Sequence, residues 1–102
     1  MKTYSITVPS NIKGKEHLDL QEKMLQKVLA SLSNNFGGAT AIEGKGGYTT
    51  NNGELIIEKV YQVTSFANQA NDKLLQLLAR YIRLHMRQES VMYTIDGEPV
   101  FI

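Results

Sequence analysis

From Ala39 to Ser65 the chain reads ATAIEGKGGYTTNNGELIIEKVYQVTS, and the fold turns on how this stretch divides. Asn51-Asn52-Gly53 separates two strand-like runs, and an Asn-Gly pair tolerates the positive φ values of a tight hairpin turn. One strand is therefore expected from about Ala39 to Thr50 and the next from Glu54 to Ser65. Leu55 and Ile57 fall on one face of the second run and Val60 on the other. That phase change implies a bulge near Glu58 or a strand covered on both faces.

Upstream of the hairpin, Leu20, Met24, Leu25, Val28, Leu29 and Leu32 recur at helical spacing, which predicts a helix from about Glu16 to Ser33. Glu16 and Asp19 suit the positive end of its dipole, and Asn34-Asn35 with Gly37-Gly38 supply a stop. Before it, Tyr4, Ile6 and Val8 alternate with polar residues until Pro9, as a half-buried strand does, and Ser10 to Lys15 reads as a polar loop. Downstream, capping side chains between Asn68 and Asp72 precede Leu74, Leu75, Leu77, Leu78, Tyr81, Ile82 and Leu84, a helix expected to reach Gln88. Val91 to Ile95 forms a strand, Asp96-Gly97 a second hairpin turn, and Val100 to Ile102 a short return.

The order is βαββαβ with a C-terminal extension over residues 1–102. It predicts a single α+β domain of the ferredoxin-like split βαβ type, an antiparallel sheet with both helices on one face. Tyr48, Tyr61, Tyr93 and Phe101 are available to the other face, and an uncovered apolar face docks onto something. A homo-oligomer, dimer or higher, is expected on that ground.

Composition bounds the function classes. Hydrophobic residues make up 42% and charged residues 21% of 102 positions, and the formal net charge is +1, so nothing pulls the whole molecule toward nucleic acid or an anionic membrane. There is no cysteine, which excludes disulfides, thiolate nucleophiles and cysteine-ligated metal sites. No run approaches the roughly 20 apolar residues of a membrane span, and residues 1–8 lack the apolar core of a secretory signal. A cytoplasmic protein without cofactor is the expectation.

Five of the eight glycines lie between Gly37 and Gly47. Consecutive amides at Gly44-Lys45-Gly46-Gly47 are able to form an anion-binding nest with Lys45 as counter-charge, although a twisted or bulged strand accounts for the same glycines with less. Lys73, Arg80, Arg83 and Arg87 recur along the second helix as a basic stripe, suited to phosphate but equally to a solvated face. His17 and His85 are the only histidines, and no ligand spacing points to a metal. Glu43, Glu54 and Glu58 flank the hairpin as solvating carboxylates, and an acid/base role requires that two of them converge in a cleft.

Phe36-Gly37-Gly38 with Thr40, then Gly44, Gly46, Gly47-Tyr48, Asn52-Gly53-Glu54, Glu58 and Gln88-Glu89-Ser90-Val91 together resemble a pattern in small, mostly uncharacterised proteins of bacteria, phages and plasmids. The resemblance runs from the second strand onward and implies the ferredoxin-like fold, but it carries no activity and no catalytic residues.

The leading functional expectation is a non-enzymatic oligomeric binding protein. In it Gly44, Lys45, Gly46, Gly47 and Tyr48, with Arg80, Arg83 and Arg87, hold an anionic small ligand such as a nucleotide signal, as in phage or mobile-element counter-defence. Two alternatives stay open: a protein–protein interaction module acting through the sheet face or edge, and a small hydrolase using His85 or Glu58.

Overall fold

In a computed structural model describing all 102 residues, the chain runs β1 (Lys2–Val8), β2 (Asn11–Ile12), β3 (Lys15–Glu16), α1 (Leu18–Phe36), β4 (Thr40–Thr49), β5 (Leu55–Ala67), α2 (Asp72–His85), β6 (Met92–Ile95) and β7 (Glu98–Phe101). The five long strands form one antiparallel sheet in the order β4-β5-β1-β6-β7, as expected for the ferredoxin-like arrangement with a C-terminal strand added at one edge. α1 packs on β5 and β1, and α2 on β1 and β6.

Alternation along β1 sorts the two faces. Tyr4, Ile6 and Val8 are fully buried with Val63 of β5, Leu32 of α1 and Leu75 and Ile82 of α2, so one face of the sheet and one stripe of each helix close a single core. Asn71 caps α2 by accepting a bond from the Leu74 amide at 3.2 Å. Below it, the buried Tyr4 hydroxyl donates to the Asp72 carboxylate and accepts the Asn71 amide at 2.9 Å, tying β1 to the start of α2.

Several local expectations are revised. α1 continues three residues past Ser33, because Asn35 bonds back to the Ser31 carbonyl at 2.7 Å rather than breaking the helix. Phe36 then stacks on Tyr4 before Gly37 stops the helix at φ 91°. The segment after Pro9 is not a loop but a miniature hairpin, Asn11–Ile12 against Lys15–Glu16, turned by Lys13 and Gly14 at φ 50° and 81°. β5 carries no bulge, since its register with β4 is continuous from Thr49↔Leu55 to Thr40↔Thr64. Leu55 and Ile57 share the helix-side face but lie beyond the reach of either helix, 62% and 61% exposed.

The uncovered face also departs from expectation. Tyr61 and Tyr93 pair opposite Val8 and Ile6 and so face the helices. The middle of the open face is polar: Thr7 donates to Gln62 at 2.7 Å, Gln62 donates to Ser5 at 3.0 Å, and Ser5 is bonded to Thr94. Exposed apolar side chains are confined to its margins, at Ile42, Tyr48, Phe66 and Phe101. Beyond the helices β4 and β5 project as an arm, and the molecule measures 43 × 27 × 22 Å.

Candidate functional site

Beside that arm lies a cleft of about 800 Å³. Its floor is the open face of β1 and β5 at Thr7 and Glu58. One wall is the end of β4 with its turn, Gly47 to Asn51, and the opposite wall combines the β2–β3 hairpin at Asn11 and Lys13 with the α2–β6 connection, Arg87 to Val91. Met92 and Phe101 close one side. Five separate segments of chain meet here. By contrast, a smaller depression of about 540 Å³ is lined only by Glu16 to Leu20 and Lys23 of one segment, and is a surface dent at the start of α1.

Glu58 is the best-held charge in the cleft. Its Oε2 accepts the Asn11 amide at 2.8 Å and the Ser10 amide at 3.4 Å. These bonds exist because the chain reverses after Pro9 to form the small hairpin, which aims two amides at β5. The hairpin is anchored in turn: the buried Ser10 hydroxyl donates to the Lys59 carbonyl at 2.7 Å, and buried Gln21 of α1 donates to the Val8 and Lys59 carbonyls at 3.2 and 3.1 Å. On the far wall Gln88 donates to the Asn11 carbonyl at 2.7 Å and the Met86 carbonyl at 2.8 Å. The carboxylate is thus fixed from behind, with the half-buried side chain still lining open space.

The expected ligand residues divide into those the fold brings together and those it does not. Gly47, Tyr48 and Arg87 line the cleft. Gly44 and Gly46 lie on the same open face of β4, opposite Val60 and Glu58, while Lys45 points to the other face beside Lys59. Arg80 and Arg83 are exposed on α2 and do not line the cleft. The glycines form no nest: Gly44, Gly46 and Gly47 are laddered to β5, and none has positive φ. At Gly46 a Cβ would lie 3.0 Å from Val60 Cγ1, so bare backbone there serves cross-strand packing. His85 also lies outside the cleft, stacked on Tyr81 and bonded through Nδ1 to its carbonyl at 2.9 Å. No group of three histidine or carboxylate side chains converges as a metal site.

Asn11, Lys13 and the positioning of Glu58 were not read from the sequence. Lys13-Gly14 is a legible turn signal in retrospect, but a hairpin with two-residue strands leaves no periodicity to detect. The motif resemblance carried more: Gly47-Tyr48, Glu58 and Gln88-Glu89-Ser90-Val91, distant along the chain, all border this one cleft.

The sequence matches no protein-family model and no curated protein. Among solved structures, a phage SAM lyase in its apo state is similar with a TM-score of 0.74 and 21% identity, covering 99% of this chain and 87% of that one. A phage SAM lyase in complex with S-methyl-5'-thioadenosine is similar with a TM-score of 0.77 and 20% identity, covering 99% and 88%. The likeness is one of fold. It corrects the expectation of a non-enzymatic protein that sequesters an anionic nucleotide: both of these similar structures are of a lyase, and the ligand held in one of them is an uncharged nucleoside.

Proposed function

We propose that this chain is a lyase that cleaves S-adenosylmethionine to S-methyl-5'-thioadenosine in the cleft between the arm, the β2–β3 hairpin and the α2–β6 connection. The observation that carries the reading is end-to-end fold likeness to phage SAM lyase structures, one holding S-methyl-5'-thioadenosine. It is supported by the cleft itself, where a carboxylate fixed by two amides faces aromatic and polar walls. In place of a hydrolase, the enzymatic alternative becomes a lyase.

The chemistry asks little of the protein. A sulfonium departs as a neutral thioether, so breaking the S–Cγ bond sends its electron pair to sulfur without a metal or an activated nucleophile. A lyase adds no water. The four-carbon remainder is balanced either by its own carboxylate oxygen bonding to Cγ or by loss of a Cβ proton to a base, for which Glu58 is the placed carboxylate. Tyr48 offers a ring face for the adenine, and a dry, oriented site keeps the reacting atoms close. Depleting a methyl donor fits a counter-defence role in the cytoplasm of an infected cell.

A homo-oligomer belongs to the same reading. Leu55 and Ile57 on the arm, and Ile42 on the open face of β4, meet nothing within the chain that covers them, and a second copy laid along β4 and the arm would.

The test is mass spectrometry of the purified chain with S-adenosylmethionine in ¹⁸O-labelled water. The lyase reading expects S-methyl-5'-thioadenosine together with an initial four-carbon product free of ¹⁸O. An ¹⁸O-labelled hydroxyl at Cγ would mean hydrolysis instead.

A further inference from the structure

Three non-glycine residues have positive φ: Lys13 at 50°, Arg87 at 49° and Asp96 at 50°. Asp96 needs no special account, because aspartate suits the left-handed region and precedes Gly97 in a tight hairpin turn. The other two are out of place. Lys13 holds the first turn position of the β2–β3 hairpin, where Asn, Asp or Gly is favoured. Arg87 follows the last residue of α2's cap, with the Gln88 amide bonded to the Arg83 carbonyl at 3.0 Å. That is the helix-stop geometry in which glycine is the usual residue.

Both misplaced cations border the same cleft. The segments that carry them are stitched together by the Gln88 to Asn11 bond. The molecule's ion pairs are Lys2–Asp72 and Lys59–Glu43, so neither Lys13 nor Arg87 is spent on a carboxylate of this chain. The only other charged residues lining the cleft are Glu58 and Glu89. Two cations and two anions therefore face one space, and both cationic positions are held against backbone preference.

Resting on the lyase reading above, we infer that Lys13 and Arg87 form the subsite for the α-carboxylate of the substrate's amino-acid tail, leaving Glu58 and Glu89 to face its ammonium and sulfonium charges. An arginine fork suits a carboxylate in two-point contact, and lysine adds a second positive charge beside it. A nucleoside without the amino-acid tail has no use for this rim, which makes it the part of the site that distinguishes substrate from the thioether product.

The experiment compares calorimetric binding of S-adenosylhomocysteine, which carries the tail, with that of S-methyl-5'-thioadenosine, which lacks it. The variants are Arg87→Gly and Lys13→Asn, chosen because each gives the backbone a residue it favours, so melting temperature is expected to hold or rise. The expected result is a loss of about tenfold or more in affinity for S-adenosylhomocysteine in each variant, from removal of a charge-assisted hydrogen bond. Affinity for S-methyl-5'-thioadenosine stays within about twofold, since no such bond is lost. If the wild-type chain binds both ligands and the variants weaken neither or both equally, the carboxylate subsite is refuted while the lyase reading stands. If the wild-type chain binds neither, the substrate reading falls and this inference with it.

Discussion

The Glu58 carboxylate accepts the backbone amide of Asn11 at 2.8 Å across 47 residues of sequence. This bond, with the weaker one from Ser10, makes the small hairpin after β1 a bracket for the cleft's central charge rather than a decoration on the sheet edge.

Replacing Glu58 with glutamine leaves an oxygen to accept those amides but removes the charge. Glu58→Gln is expected to keep its melting temperature within a few degrees of wild type and to lower the rate of S-methyl-5'-thioadenosine formation by about 10²-fold or more. Asn11→Pro, which deletes the amide, is expected to lower both. A Glu58→Gln variant with full activity would remove this carboxylate from the mechanism.

Gly46 and Val60 make a separate test of why β4 is rich in glycine. A Cβ at Gly46 would lie 3.0 Å from Val60 Cγ1, whereas one at Gly44 would be 3.9 Å from the nearest Val60 carbon. Val60 is β-branched and has few rotamers to offer. Gly46→Ala is therefore expected to cost about 1 kcal/mol net of the gain in chain stiffness, and Gly44→Ala to be neutral or slightly stabilising. Chemical denaturation of Gly46→Ala, Val60→Ala and the double variant should give a coupling of about 1 kcal/mol. Additive effects would place the reason for Gly46 elsewhere.

Tyr4 and Asp72 set a pH window for stability. Burial, and then the hydrogen bond it donates to Asp72, push the Tyr4 phenol above its ordinary range. The bond from Tyr4, and then Lys2, hold Asp72 below the usual carboxylate range. A raised phenol contributes stability below about pH 10 that is lost as pH rises through its folded value; a lowered carboxylate contributes above about pH 4 and loses it as pH falls through its folded value. Tyr4→Phe should melt about 5–10 °C below wild type between these limits. The gap should narrow at both extremes, and one that is flat from pH 3 to 11 would contradict the linkage.

The arm gives a test of assembly. Light scattering is expected to report a multiple of the 11.4 kDa chain mass, and Leu55→Glu with Ile57→Glu to return it to a single chain. These positions touch no part of the core, so the monomer should retain its helical and strand content by circular dichroism. A wild-type monomer would mean that the apolar arm is covered by something other than a second copy.

Much of this architecture was legible in the sequence because it follows from period and punctuation. The alternation at Tyr4, Ile6 and Val8, the leucine stripes of both helices, Asn52-Gly53 and Asp96-Gly97 each encode a local preference that the fold obeys. The cleft was less legible because its walls come from five segments joined by backbone bonds, such as Glu58 to Asn11 and Gln88 to Asn11, that leave no mark in composition or spacing. The glycines at positions 44, 46 and 47 suggest space beside bare backbone, but at Gly46 that space is taken by Val60. The proposed lyase chemistry leaves the faintest mark in sequence, because a substrate that already carries its leaving group needs no triad or metal motif.

Turnover is decided by incubating the purified chain with a hundredfold molar excess of S-adenosylmethionine and counting S-methyl-5'-thioadenosine against a protein-free control. A lyase yields product well beyond one equivalent per chain, reduced to near the control by Glu58→Gln. Recovery of the S-adenosylmethionine intact, with product no greater than in the control, would contradict it.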